Sequence, residues 1–353
     1  MRRFFILLCV FLLLLCINRT SVSAVDEDYI RSESGASRLE GEETELWESV
    51  WSALCTALTG GVGKAFKYGA GIIACLVLIA LIGGIRTLKD NDLSTAAFDF
   101  VSAASLGAAA FPAVYSVFLY VKAAIESIHA FCAALLPVTV TLYSMGGNPT
   151  QAVSAGSGMS MFLTATETVN AKLLLPLLTV GFAFALTGLL PGAESIAPFG
   201  SFIKNCATTL IAFVFSLVGF VFYFQTAIAA SADGFAYRSV KFASGTFIPL
   251  IGNAVGDSAR TVFGAVSVVK ASVGNLGLCV VMGYLLPPLV SVLLYKGAFS
   301  FCAMFASFCG LEKQARFIKE LGSLLGASLA LLIGCGVVFI VISAVFLKSG
   351  VSV

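Results

Sequence analysis

Three aspartates, Asp99, Asp233 and Asp257, lie within or beside long apolar stretches. Two facing carboxylates in such a setting could support peptide hydrolysis, as in intramembrane aspartyl proteases. Those proteases carry a Gly-x-Gly-Asp motif, whereas residues 254–257 read Ala-Val-Gly-Asp and lack the first glycine. Arg260 follows Asp257 at a spacing that favours an ion pair. The pattern therefore does not support an aspartyl protease.

Nucleophilic catalysis is also poorly supported. Ser157 lies between two glycines, but residue 155 is alanine, where a serine-hydrolase elbow has glycine. The single histidine, His129, would have to supply the base. His129 follows Glu126 by three residues, so the two side chains form either a proton relay or a structural pair near the start of a span. The position near a span boundary favours the structural pair.

The ten cysteines do not form a metal-binding pattern, because no two are spaced as Cys-x-x-Cys and the chain has one histidine. Most lie in apolar segments, which is typical of small packing residues in helices. The sequence contains no Walker A phosphate loop, and its basic residues are scattered rather than clustered. We therefore predict a protein that is not an enzyme, uses no cofactor or metal and does not bind nucleic acid.

The composition indicates a membrane protein. Hydrophobic residues make up 59% of the 353 residues and charged residues 11%, which leaves too little polar surface to cover a soluble protein of this size. A helix needs about 20 mostly apolar residues to cross a hydrocarbon core of about 30 Å. Backbone groups in lipid must be paired internally, and uninterrupted apolar runs favour helices over a barrel. The predicted fold is all-α, a polytopic helical membrane protein with seven or eight spans after an N-terminal signal peptide.

The expected spans are separated by short connections with few charges. They cover residues 69–85, 96–121, 127–145, 173–190, 207–230, two passes within 271–309 that divide near Pro287, and 324–347. Residues 146–170 are rich in Gly, Ser and Thr, and we expect a loop or a short re-entrant segment there. Gly322 and Gly326 form a small-xxx-small pair, which predicts the close approach of another helix.

The front of the chain has a basic start, a short apolar core and a small-residue cleavage site, as in a secretory signal peptide. An uncleaved first helix is the alternative. Nine acidic and two basic residues follow between positions 25 and 48. An amphipathic helix begins at Glu43, and glycines 60–63 are expected to end it. The predicted domains are a signal peptide over 1–24, an acidic exoplasmic arm with an amphipathic helix over 25–63, and a transmembrane helical bundle over 64–353.

The segment 242–270 is hydrophobic but is interrupted by glycines, a proline and charges, so it is a poor simple span. Irregular backbone at membrane depth is tolerated only where it is buried in protein or lines water. We therefore expect an interrupted or re-entrant segment near 242–270 that forms a path or a subunit contact. The alternative is a helix at the cytoplasmic interface, anchored by its charges. The candidate residues are Arg238, Lys241, Pro249, Gly252, Gly256, Asp257 and Arg260.

The same region carries a family resemblance. The sequence Tyr-Arg-Ser-Val-Lys-Phe-Ala over 237–243 is followed by Thr-Phe-Ile-Pro-Leu-Ile-Gly over 246–252 and Gly-Asp-Ser-Ala-Arg-Thr-Val over 256–262. This pattern resembles stage III sporulation protein AE of endospore-forming bacteria. The likeness covers residues 195–353 well and the front half only by organisation. Residues 263–269 carry fewer leucines than the family usually shows.

The resemblance implies a membrane-embedded core subunit of the channel or export complex that joins mother cell and forespore during sporulation. It implies a location in the mother-cell membrane around the forespore, and partners that include a secretion-type ATPase and ring-forming subunits. Such a complex supports forespore gene expression and development. The residues alone leave a stand-alone secondary transporter as the alternative, although no internal repeat supports it.

Overall fold

The structure, a computed structural model, describes residues 36–86, 92–189, 197–247 and 252–348, and every regular element within these ranges is a helix. One of these elements is a π-helical turn, Asn170–Leu174. The all-α prediction is confirmed for these residues, while the predicted signal peptide and the start of the acidic arm lie outside them. The helices are α1 (Ala36–Arg86), α2 (Asp92–Met145), α3 (Pro149–Val169), α4 (Leu175–Thr187), α5 (Ala197–Phe247), α6 (Gly252–Phe308) and α7 (Glu312–Lys348).

Six helical segments in the described part are long and apolar enough to cross a membrane. They are Leu58–Gly84, Ala97–Met145, Pro149–Thr187, Phe199–Ala236, Gly264–Phe308 and Glu312–Lys348. The expected seven or eight spans are not confirmed, because two predicted pairs of spans are each one helix. Lys122 and Glu126, the charges of one expected connection, pair along α2 at 3.8 Å. Pro287 and Pro288 lie inside α6 without ending it, since a membrane helix tolerates the lost hydrogen bond where neighbouring helices pack around it.

The segment 146–170 is mostly helix, so the expected loop is wrong, while a re-entrant position stays a prediction. A short turn precedes α3, and within it Gly147 adopts a φ of 77°, which glycine allows without strain. The polar side chains fit a helix because their hydroxyls donate hydrogen bonds to carbonyls three or four residues earlier. Ser157, Ser160 and Thr164 all do so, at 2.8–3.0 Å.

The amphipathic helix and the first span form one helix. The predicted end at glycines 60–63 is wrong, because α1 continues through them. Glycine weakens a helix by about 1 kcal/mol but does not by itself end it. A side chain at Gly61 would lie 3.0 Å from Leu294 of α6, and the Cys302 thiol of α6 donates to the Gly69 carbonyl at 3.6 Å. These glycines allow α1 and α6 to approach closely.

α6 lies against α1, α2 and α7. α7 packs antiparallel to it: the Cβ position of Gly322 lies 3.7 Å from Phe299, and that of Gly326 lies 3.8 Å from the Lys296 Nζ. The close approach predicted from the two glycines is confirmed. Most large buried side chains of both helices belong to one hydrophobic core, while Phe346 of α7 belongs to a second, smaller cluster.

α5 packs between α3 and α7. Phe222 lies over Gly158 of α3, and Phe215 lies 3.0 Å from the Cβ position of Gly334 in α7. Both phenylalanine rings are buried. The two glycines therefore make room for the bulky side chains of α5, and these contacts set the spacing of three helices.

Substitution of Gly158 tests this packing. Gly158→Ala is expected to lower the free energy of unfolding by about 1–3 kcal/mol, because the new methyl group overlaps the buried Phe222 ring. Gly71→Ala is the matched control, since no atom lies within 4 Å of its Cβ position, and it should be neutral or stabilising by up to about 1 kcal/mol. Thermal unfolding of both variants in one detergent measures the difference. Equal stability would contradict the tight α3–α5 contact.

Candidate functional site

The structure places part of the predicted site near the connection between α5 and α6. Arg238 is exposed on α5. α5 continues to Phe247 and α6 runs unbroken from Gly252, so every described residue of the segment 242–270, which was expected to be interrupted or re-entrant, is helical. A path or subunit contact at these positions stays a prediction. Pro249 lies outside the described residues, as do the side-chain surroundings of Lys241, Gly252, Gly256, Asp257 and Arg260.

A buried carboxylate, Asp233, lies on α5 close to this region. Its Oδ1 accepts a hydrogen bond from the Thr150 N–H at 3.1 Å, and its Oδ2 accepts one from the Gln151 N–H at 2.8 Å. These groups belong to the first turn of α3, whose N–H groups have no partner within the helix. Pro149 begins α3, and the preceding Asn148 side chain makes no capping hydrogen bond. Asp233 therefore caps α3 from a neighbouring helix, with its charge at the positive helix end.

A buried cation, Lys270 of α6, lies near the same end of the bundle. Its Nζ is 4.3 Å from the ring centroid of Tyr143 and 5.3 Å from that of Phe346. The faces of aromatic rings attract cations, most strongly where water is excluded. The Tyr143 carbonyl accepts a hydrogen bond from the Asn148 N–H in the turn before α3. Asp233 and Lys270 are thus both held by groups around the connection between α2 and α3.

From the sequence, Asp233 is a candidate only as a protease carboxylate, and Lys270 and Gln151 are not among the candidate residues. A charged residue inside or beside an apolar run is the signal that marks both Asp233 and Lys270. Their partners lie on other helices, so sequence spacing does not reveal the roles. The side-chain Oε1 of Gln151 is buried and has no hydrogen-bond partner within the described ranges. No local pattern marks that residue.

α3 presents a polar outer face. Ser157, Ser160, Thr164 and Glu167 are exposed, and their spacing of three or four residues places them along one side of the helix. We call these four residues the polar face. The buried side of α3 carries apolar residues such as Phe162. The polar face offers hydroxyls and one carboxylate, which suit contact with water or with polar groups of another protein.

The neighbouring α5 is apolar at the same level of the bundle. That level is set by the contact between Gly158 of α3 and Phe222 of α5. Beside this contact α3 exposes Ser157 and Ser160, whereas α5 exposes aromatic rings. The exposed fractions are 59% for Phe220, 55% for Tyr223 and 50% for Phe224. Two adjacent helices therefore present surfaces of opposite character at one depth.

Similarity to known proteins extends over most of the chain. A family model described as stage III sporulation protein AE matches residues 32–350. A curated relative, stage III sporulation protein AE of Bacillus subtilis (strain 168), is 24% identical over 174 residues. That alignment covers 49% of this chain and 44% of the relative, so the chain matches less than half of the relative's length. No solved structure matches the chain significantly.

The capping role of Asp233 predicts a graded loss of stability. Asp233→Ala should lower the free energy of unfolding by about 2–4 kcal/mol, because it leaves the Thr150 and Gln151 N–H groups at the start of α3 without an acceptor. Asp233→Asn keeps one acceptor oxygen and should cost roughly half as much. Denaturant titration of the three proteins in the same micelles gives the order. An alanine variant as stable as the parent would contradict the cap.

Proposed function

Because the chain belongs to the stage III sporulation protein AE family, we propose that it is a membrane-embedded subunit of the sporulation channel or export complex that links mother cell and forespore. In this role it is needed for forespore gene expression and development. It acts by assembly with other proteins and carries out no reaction of its own. The polar face of α3 is the observation that supports this role most directly.

The two surfaces of opposite character on α3 and α5 indicate different surroundings at one depth. A lipid-facing surface within a bilayer is apolar, as the exposed rings of Phe220 and Phe224 on α5 are. The polar face on the adjacent α3 does not fit the same surroundings. One side of the bundle therefore meets lipid, while the other meets protein or a water-filled path.

Glu167 makes lipid contact on the polar face costly. The three hydroxyls of the polar face donate to carbonyls of their own helix, which reduces the cost of exposing them to hydrocarbon. The carboxylate of Glu167 has no proton to donate to a carbonyl of its own helix. A charged residue at the centre of a bilayer costs about 2.5–3.5 kcal/mol on insertion scales. Contact with another subunit or with water removes that cost.

The proposed setting is the mother-cell membrane around the forespore. The proposed partners are other membrane proteins of the complex, among them a secretion-type ATPase and ring-forming subunits. A signal peptide over residues 1–24 would direct the chain to the membrane. The candidate residues between Arg238 and Arg260 would form a second contact, at the connection between α5 and α6.

Apolar substitutions on the polar face test the proposal. The double variant Ser157→Leu, Ser160→Leu keeps the helix and the membrane compatibility of α3 but removes polar groups from the proposed contact. In a sporulating host that lacks its own copy, this variant should reduce heat-resistant spores at least tenfold, because a loss of about 1.4 kcal/mol at a contact weakens binding tenfold.

Ser216→Leu is the matched control. Ser216 is exposed on α5, beside the aromatic surface, so the same change there should leave spore yield near that of the parent protein. Equal amounts of all variants in the membrane fraction must accompany the comparison. If the double variant gives a normal spore yield, the polar face no longer supports the proposed role. Normal forespore development after deletion of the gene would overturn the proposed role itself.

A further inference from the structure

A small cavity lies at the other end of the bundle from Asp233, where α4 ends and α5 and α7 begin. Its volume is about 50 Å³. A buried water needs about 10–15 Å³ on this measure, so the cavity admits a few waters or one phosphate-sized group. Its polar lining consists of Ser201 and Lys204 of α5 and Lys313, Arg316 and Glu320 of α7.

Cationic side chains predominate in the lining of this cavity. Lys204, Lys313 and Arg316 line it with one carboxylate, Glu320, which gives a net charge of +2. The Lys204 side chain is 8% exposed, and its Nζ lies 2.8 Å from the Glu320 Oε2. This ion pair holds the two side chains in place at the inner wall of the cavity. Lys313 is half-buried and Arg316 is exposed, so both can reach a group that enters from the surface.

The backbone adds to the preference for an anion. Ser201 lies in the second turn of α5 and Lys313 in the first turn of α7. Helix N-termini carry partial positive charge from N–H groups without an intrahelical partner. Gly200 brings α5 close to α4, since a side chain there would lie 2.6 Å from the Phe184 Cβ. Three cationic side chains and the positive end of α7 thus lie around one cavity.

The surroundings of the cavity favour a lipid over a soluble anion. Phe184 lines the cavity, and its ring centroid lies 6.1 Å from that of Phe199, which lies 6.2 Å from that of Phe202. Phe199 and Phe202 are 61% and 65% exposed, on a helix apolar enough to cross a membrane. A phospholipid joins an anionic headgroup to apolar chains, and this surface offers complementary sites for both.

We propose that this cavity binds the phosphate of an anionic phospholipid, with an acyl chain along Phe199 and Phe202. Lys313 and Arg316 donate charge-assisted hydrogen bonds to the phosphate oxygens. Basic pockets between membrane helices bind anionic headgroups in other proteins by the same chemistry. The site shares no residue with the polar face, so it stands independently of the proposed function.

Native mass spectrometry of the full chain tests this site. The protein is released from phosphatidylcholine nanodiscs prepared with or without phosphatidylglycerol, and retained phosphatidylglycerol is counted. The parent protein and Lys319→Gln should retain it equally, because Lys319 is an exposed cation of α7 that does not line the cavity. Arg316→Gln should retain at least about tenfold less, since it loses a hydrogen bond between a cation and a phosphate.

Thermal unfolding in phosphatidylcholine alone must show that Arg316→Gln folds like the parent. If it does not, Lys313→Gln replaces it in the same measurement. Equal retention by the parent, the cavity variant and Lys319→Gln would overturn the proposal. Inorganic phosphate in phosphatidylcholine nanodiscs separates the two sources of phosphate. Stabilisation by phosphatidylglycerol alone supports the lipid site, whereas equal stabilisation by inorganic phosphate would overturn it in favour of a soluble anion.

Discussion

Internal pairing of backbone hydrogen bonds is the constraint on which this structure depends. Hydrocarbon offers no partner to an unpaired N–H or carbonyl group, so an apolar chain of this length folds into helices. Between helices in lipid, packing replaces the hydrophobic effect as the source of stability. The glycines serve that packing, because they let Leu294 approach α1 and Phe222 approach α3. Close contact between long helices therefore determines the architecture.

The same constraint explains how the buried charges are accommodated. A buried charge needs a partner, since its desolvation is otherwise too costly. Asp233 receives the unpaired N–H groups at the start of α3, Lys270 lies over two aromatic rings, and Lys204 pairs with Glu320. Each of these contacts joins different helices near an end of the bundle. Glu167 is exposed near the C-terminal end of α3, and its carboxylate needs a partner outside the chain or contact with water.

The fold class could be predicted from the sequence because it follows from apolar content and the length of apolar runs. Helix boundaries were harder to predict, since glycines 60–63 and the prolines at 287 and 288 weaken helices locally while packing keeps them continuous. The family resemblance could be recognised from the sequence because it rests on short contiguous segments. The role of Asp233 was not, because Thr150 and Gln151 lie 83 and 82 residues away along the chain. The Ser and Thr residues of the polar face are visible in the sequence, but their composition alone does not distinguish a helix from a loop or a re-entrant segment.

In the proposed role, the polar face of α3 meets protein or water, while the exposed aromatic rings of α5 meet lipid. A photoreactive amino acid placed at Ser160 or at Ser216, followed by crosslinking in sporulating cells, measures these surroundings directly. The account predicts adducts with another polypeptide or with water from position 160 and adducts mainly with lipid from position 216. Lipid adducts alone from position 160, as from position 216, would contradict it.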